Sequence, residues 1–308
     1  MVHKLLLLTR ENHRYLPLLE QLVLPELQLV DDSPAAIAEA DIWLAEPALA
    51  LPLLPHAHQL QWLQSTFAGV DKLLGPKRRS DYQLTNIKGI FGPLMSEYIF
   101  GYLLAHCRQQ QLYRQQQQQQ LWQPGNYQSL QGQQILLLGT GSIGSHVAAT
   151  AKHFGMHTVG MNLSGKQPAA FDRIITNQQL NDALPQADVV VNTLPASPAS
   201  TDILDAERLR YLKQGAILFN VGRGSAIDLE ALTQLLSERS DITAILDVFP
   251  QEPLPPHQRL WQMSNAIITP HISAPSFPQQ VVEIFADNYS RWRQQSPLQY
   301  QIDFKRGY

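Results

Sequence analysis

The chain has 308 residues, room for about two domains, each with its own core. A hydrophobic fraction of 44% and a charged fraction of 16% are ordinary for a soluble globular protein. The formal net charge of -3 offers no basic field for nucleic acid, and the one cysteine, Cys107, cannot form an intramolecular disulfide. The N-terminal "MVHKLLLLTRENHR" has too short an apolar run for a secretory signal, and no run approaches the roughly 20 apolar residues of a membrane span. A cytoplasmic protein is expected.

Taken in chain order, "KLLLL", "LQLV", "DIWLA", "LQWLQS" and "YQLTNI" read as strands up to about residue 87. "YLPLLEQLVL" and "SPAAIAEA" read as helices between them. Such alternation predicts a parallel sheet with helices on both faces. In "GPLMSEYIFGYLLAHCRQQ", Met95, Tyr98, Ile99, Tyr102 and Leu103 recur at helical spacing, so a long helix leads out of the first unit. The glutamine-rich "RQQQLYRQQQQQQLWQ" reads as a polar helix face or loop, with an interaction segment as the sharper alternative. A second series follows: "QQILLLG", "HTVGM", "ADVVVNT", "GAILFNV", "ITAILDV" and "NAIITP". Six apolar runs at this rhythm predict a dinucleotide-binding domain of Rossmann type. The terminal "PQQVVEIFADNYSRWRQQ" is a further amphipathic helix that returns to the first unit. The fold expected is α/β, with two Rossmann-like domains and the active site in the cleft between them. One domain spans 1–98 with 277–308, the other 99–276.

"ILLLGTGSIGSHVAATAKHFG" sets a glycine loop between a strand and a helix, the context that makes such a loop informative. Gly139 makes the tight turn, Gly141 lets backbone approach a pyrophosphate, and Gly144 lets helix and strand pack closely. The loop residues Gly139, Thr140, Gly141, Ser142, Ile143 and Gly144 are all counted with the cofactor site. The pyrophosphate would sit at the helix N-terminus. An acid that holds the adenosine ribose is expected about 20 residues later, but "VGMNLSGK" has Asn162 there. Asn removes the repulsion toward a 2'-phosphate, Ser164 can donate to it, and Lys166 adds a positive charge. A solvated loop lysine is the plainer reading of Lys166. These residues lead to an expectation of NADP in preference to NAD; the loop has no arginine, so NAD is left open.

Three later stretches each end a strand with a reactive side chain: Arg223 in "NVGRGS", Glu252 in "LDVFPQEP" and His271 in "ITPHIS". In an open parallel sheet, ligands bind outside the carboxyl ends of the strands. An arginine can hold a 2-oxo acid in a fixed fork, a histidine can protonate the ketone oxygen as hydride arrives at carbon, and a carboxylate can stabilise the imidazolium. Singly, each would pass for a surface ion pair, a solvated loop acid or a structural histidine. Their order behind a glycine loop points to chemistry.

The chain resembles the D-isomer-specific 2-hydroxyacid dehydrogenase family. The stretches that carry the resemblance are "LLGTGSIGSHVA", "FGMHTVG", "ADVVVNTLPASPAST", "LKQGAILFNVGRGSAIDLEAL", "AILDVFPQEPLPPHQRLW" and "AIITPHIS", over most of residues 135 to 275. "STFAGVDKL" and "NIKGIFGPLMSEYIFGYLLA" resemble the family's substrate-domain segments. Within the family the pattern is similar to the glyoxylate/hydroxypyruvate reductase branch that uses NADPH. The resemblance implies that Arg223 binds substrate, His271 is the acid/base and Glu252 orients it. It implies that the backbone N–H groups of Ala68, Gly69 and Val70 hold the substrate carboxylate. Leu194 and Pro195 would lie under the cofactor, with Val221 and Gly222 beside it. Asp247 would support the cofactor site or, equally, cap a strand end. Residues 100 to 130 would lie at a homodimer contact through the cofactor domain.

Trp43, Trp261 and Met95 stand as pocket-lining candidates, with core packing as the alternative. No H-x-x-E-H, HExxH or Cys/His cluster occurs, so no metal is expected. The activity implied is reduction of a small 2-oxo acid such as glyoxylate or hydroxypyruvate. A larger or phosphorylated substrate would need basic groups near residues 68 to 72, where Lys72 stands alone. Non-catalytic rivals are a dinucleotide sensor and a structural homodimer module; the intact Arg223, Glu252 and His271 set argues against the sensor.

Overall fold

Continuous apolar runs bounded by turn residues become strands buried on both faces, as parallel sheets require. In the computed structural model, which describes residues 2–75 and 78–304, every run expected as a strand is one. The chain divides into two units, residues 1–90 with 276–308 and residues 91–275.

The first unit is built from β1 (His3–Leu8), α1 (Asn12–Gln21), β2 (Leu27–Val30), α2 (Pro34–Glu39), β3 (Ile42–Ala45), α3 (Pro47–Ala50), β4 (Trp62–Ser65) and β5 (Gln83–Thr85). Its sheet has the order β2-β1-β3-β4-β5, with all pairs parallel. Leu6, Trp43, Leu63 and Leu84 lie in its core. Trp43 has no exposed surface, so of its two readings core packing is the one observed. The last helix of the chain, Pro278–Arg293, belongs to this unit. Its Phe285 stacks on Trp62 at 5.2 Å, and its buried Asn288 donates to Gln64 Oε1 at 3.0 Å.

The second unit begins with α4 (Phe91–Cys107) and α5 (Gln110–Gln118). Because α4 runs unbroken from Phe91, the division falls at its first residue and the expected boundary at 98 lies inside the helix. The sheet segment follows: β6 (Gln134–Leu138), α6 (Ser142–His153), β7 (His157–Met161), β8 (Arg173–Ile175), α7 (Leu180–Ala183), β9 (Val189–Asn192), α8 (Ala206–Arg210), β10 (Ile217–Asn220), α9 (Leu229–Glu238), β11 (Thr243–Leu246) and β12 (Ala266–Ile268). The C-terminal helix of the first unit is then α10.

The second sheet runs β12-β11-β10-β9-β6-β7-β8, all parallel. Strand order reverses between β6 and β9, the switch point at which doubly wound sheets bind dinucleotides. Leu136, Val190, Leu218 and Leu246 form the middle of its core. Seven strands replace the six expected. The addition, β8, is a three-residue edge strand that starts on exposed Arg173, and so has no apolar run to announce it.

The glutamine stretch forms α5, which buries no residue. Beyond it, residues 121–129 form neither helix nor strand, and Trp122 is fully exposed. No helix among the described residues is long and apolar enough to cross a membrane.

Candidate active site

The parallel register sets Asn220 beside Leu246 and Leu246 beside Ile268, so the carboxyl ends of β10, β11 and β12 lie side by side. The loops leaving these ends carry Arg223, Glu252 and His271. His271 Nδ1 lies 2.8 Å from Glu252 Oε2. The other oxygen of Glu252 accepts the Phe249 N–H at 3.0 Å, which fixes the carboxylate within its own loop. With Nδ1 occupied, the free edge of the imidazole is Nε2. The two side chains are 53% and 37% exposed, so a ligand can reach them.

Gly224 joins the Arg223 loop to this pair. A Cβ there would lie 1.9 Å from the carbonyl carbon of Phe249, so only glycine permits the two loops to touch. Arg223 itself is half-buried. Its carbonyl accepts from Asn220 Nδ2 at 3.2 Å, and its guanidinium donates to the Gly222 carbonyl at 2.8 Å. Asn192 on the next strand donates to Asn220 Oδ1 at 2.8 Å and accepts the Leu194 N–H at 3.1 Å. Both asparagines are buried. They link the Leu194 loop to the Arg223 loop, and neither featured among the sequence candidates. The signal was available: each is the polar residue that ends a run of apolar ones, in "VVVN" and "ILFN".

Asp247 has no exposed surface, which rules out direct contact with a cofactor through its side chain. Its Oδ1 accepts the Thr269 hydroxyl at 2.6 Å and the Ile272 N–H at 2.8 Å; its Oδ2 accepts the Ser273 N–H at 2.9 Å. Its carbonyl also accepts the His271 N–H at 2.9 Å. These are the bonds of a strand-end cap. They offset a local cost, because His271 has a φ of +55°, a left-handed conformation that costs a non-glycine residue about 1 kcal/mol.

The glycine loop shows two different demands for glycine. A Cβ on Gly144 would lie 2.1 Å from the Gly139 carbonyl oxygen, so this position is dictated by helix–strand packing. A Cβ on Gly141 would meet nothing within 4 Å. The protein itself does not require glycine there; a ligand passing across the loop would. Gly141 is also the N-cap of α6 and supplies no side-chain acceptor, so the N–H groups of the first turn face outward uncapped, as an anion site needs.

Asn162 closes its loop instead of reaching outward. Its amide nitrogen donates to Thr140 Oγ1 at 2.8 Å and to the Lys166 carbonyl at 2.9 Å. Its oxygen accepts the Gly165 N–H at 2.7 Å and the Ser164 hydroxyl at 3.3 Å. Thr140, Asn162, Ser164 and Lys166 are therefore one cluster that ties the glycine loop to the end of β7. The ammonium of Lys166 is exposed and has no hydrogen bond or ion pair among the described residues.

In the first unit, Ala68, Gly69 and Val70 follow β4. The loop is set by Ser65, whose hydroxyl bonds both the N–H and the carbonyl of Phe67, and by Asn86, which donates to the Ala68 carbonyl at 2.8 Å. None of the three N–H groups has an acceptor among the described residues. Met95 is buried in α4, whereas Trp261 is half-exposed with its indole N–H on the Pro255 carbonyl at 3.0 Å. Among the described residues, no group of three or more His, Cys, Asp or Glu could hold a metal ion.

Comparison with known proteins supplies the lineage. Residues 100–273 match the sequence model of the NAD-binding domain of D-isomer specific 2-hydroxyacid dehydrogenases. The chain belongs to that family. A crystal structure of a D-isomer specific 2-hydroxyacid dehydrogenase family protein from Aeromonas salmonicida is 50% identical, covering 99% of this chain and 100% of that one, with a TM-score of 0.94. An NADPH-dependent glyoxylate/hydroxypyruvate reductase from Sinorhizobium meliloti, solved with NADP and sulfate, shares the fold at 23% identity and a TM-score of 0.88, over 99% of this chain and 100% of that one. An uncharacterised protein of Corynebacterium melassecola is 31% identical over 248 residues, 76% of this chain and 78% of its own length. This member of the 2-hydroxyacid dehydrogenase family is accordingly an NAD(P)-dependent oxidoreductase.

Proposed function

We propose that this dehydrogenase reduces a small 2-oxo acid, glyoxylate or hydroxypyruvate, to the 2-hydroxy acid and takes NADPH in preference to NADH. The observation that carries the chemistry is the 2.8 Å contact between His271 Nδ1 and Glu252 Oε2, set on the strand ends beside Arg223. When bound, a reduced nicotinamide supplies hydride to the keto carbon. Arg223 holds the carboxylate and carbonyl oxygen of the substrate, helped by the N–H groups of Ala68, Gly69 and Val70. His271 gives a proton from Nε2 to the ketone oxygen, and Glu252 stabilises the imidazolium before that transfer. The uncapped N-terminus of α6 takes the pyrophosphate, with Leu194, Pro195, Val221 and Gly222 along the cofactor.

The cofactor lean rests on Lys166. Its ammonium, without a hydrogen bond or ion pair among the described residues, stands on a loop from which the ribose-binding acid is missing, and the Sinorhizobium protein of the same fold was solved with NADP. We assign a homodimer contact, in a cytoplasmic protein, to residues 100–130 of the cofactor domain. Leu121, Trp122 and Tyr127 expose apolar surface there that a second copy would cover.

Initial rates with glyoxylate and hydroxypyruvate, each with NADPH and NADH, test the proposal. Turnover with an NADPH preference is expected, and Lys166→Ala should erase most of that preference. Equal rates with the two cofactors would overturn the cofactor assignment. Silence with both substrates would overturn the substrate assignment.

A further inference from the structure

A helix far along the chain from His271 reaches its loop. Tyr98, two turns into α4, places its hydroxyl 2.6 Å from Thr269 Oγ1. The Thr269 hydroxyl has one proton, and it is given to Asp247 Oδ1. Thr269 can therefore only accept from the phenol, which makes Tyr98 the donor. The chain Tyr98 to Thr269 to Asp247 has one direction and ends on the carboxylate that also takes the N–H groups of Ile272 and Ser273. Between these groups sits His271, with its positive φ and its N–H shared by the carbonyls of Asp247 and Thr269. Thr269 is buried and Tyr98 half-buried, so water does not readily replace the phenol. Burial first, and then the charge of Asp247, push the phenol well above its ordinary pKa, so it remains a donor over any working pH.

We infer that Tyr98 is a positioning residue for His271, acting through Thr269 and Asp247. A strained backbone persists where its surroundings over-determine it. Thr269 without its donor is free to turn away from Asp247, which loosens the cap and lets the imidazole wander from the orientation set by Glu252. The inference rests on His271 as proton donor, and its test includes a measurement that does not.

The experiment compares Tyr98→Phe, Thr269→Val and Thr269→Ser in the full chain. Loss of one neutral hydrogen bond should lower kcat about fivefold in Tyr98→Phe. KM for the 2-oxo acid and the Kd of NADPH should hold, because neither the Arg223 contact nor the cofactor loop is altered. Thr269→Val should lose as much or more, Thr269→Ser should recover wild-type kcat, and Tyr98→Phe with Thr269→Val should be no worse than Thr269→Val alone. Amide hydrogen exchange of residues 271–273 should quicken in Tyr98→Phe whatever the activity. Unchanged exchange and unchanged kcat, or losses that add in the double variant, would overturn the inference. Faster exchange together with full activity in a His271→Ala control would spare the positioning link and instead remove His271 from the proposed chemistry.

Discussion

Asn162→Asp restores the acid expected at this position of a dinucleotide fold, and its effect can be worked out from the loop. The new carboxylate keeps the Gly165 and Ser164 donors on one oxygen. Its other oxygen replaces an N–H₂ that gives one proton to Thr140 and one to the Lys166 carbonyl. Thr140 can turn its hydroxyl and donate. The Lys166 carbonyl cannot, and two acceptors are left facing each other. The lost bond costs about 1 kcal/mol, as does a typical hydrogen bond. The added charge would repel a 2'-phosphate by about 3 kcal/mol at a separation of ~6 Å and an effective dielectric constant of about 20. NADH carries no such phosphate and gains a ribose acceptor. The ratio of kcat/KM for NADPH over NADH should therefore fall roughly 100-fold. Asn162→Ala separates the two causes, because it loosens the loop without adding charge and should weaken both cofactors alike. The assay is initial rate at fixed 2-oxo acid over a range of each cofactor. A ratio within threefold of wild type in Asn162→Asp would refute the idea that this loop faces a 2'-phosphate.

The glycine loop yields a contrast. Gly144→Ala drives a Cβ against the Gly139 carbonyl and should cost about 1–3 kcal/mol of stability, read as a lower Tm. Gly141→Ala meets open space and should leave stability within about 0.5 kcal/mol while weakening cofactor binding. A normal Kd for Gly141→Ala would show that no ligand crosses that point. Glu252→Gln keeps an acceptor for the Phe249 N–H but takes the charge from His271, so kcat should fall about tenfold or more with KM little changed. Asp241 tests acid stability apart from the site. The Arg239 guanidinium and then the Gly215 N–H hold its carboxyl below the ordinary range. A lowered folded-state pKa means that the gain is full above the unfolded value and fades as pH falls toward the folded one. Asp241→Asn should cost about 1 kcal/mol or less at neutral pH, since the pair is about one-third exposed, and the difference from wild type in denaturant melts should shrink below about pH 4.

Strand runs were legible because a parallel sheet buries both faces of its strands, so "VVVN" and "ILFN" stand out in any reading. β8 was not, because an edge strand needs little apolar surface, and "RII" has three residues, the first of them charged. Arg223, Glu252 and His271 could be found as single side chains at strand ends, since the doubly wound topology assigns ligand chemistry to those ends. What holds them could not. The asparagine link from Leu194 to Arg223, and the link from Tyr98 through Thr269 to Asp247, depend on bonds across 28 and 171 positions of the chain, and only the closed fold brings such residues within reach.

Asp247 and Asn162 show what residue type alone leaves undecided. Asp247 was expected to support the cofactor site or, equally, to cap a strand end, and Asn162 to leave room for a 2'-phosphate; each spends its side-chain bonds on the protein. Asp247 is buried behind the histidine loop; Asn162 uses both ends of its amide to close the Ser164–Lys166 turn. A polar side chain at the edge of a site has two competing claims on it, from ligand and from backbone. The backbone claim tends to prevail where the loop has a left-handed residue to stabilise, as at His271 and at Gly165 with its φ of +66°. The groups left facing outward are then those with no such duty: His271 Nε2, the Lys166 ammonium and the uncapped N–H groups of α6. They are spared backbone duty because Asp247, Asn162 and Gly144 have already settled the loops that carry them.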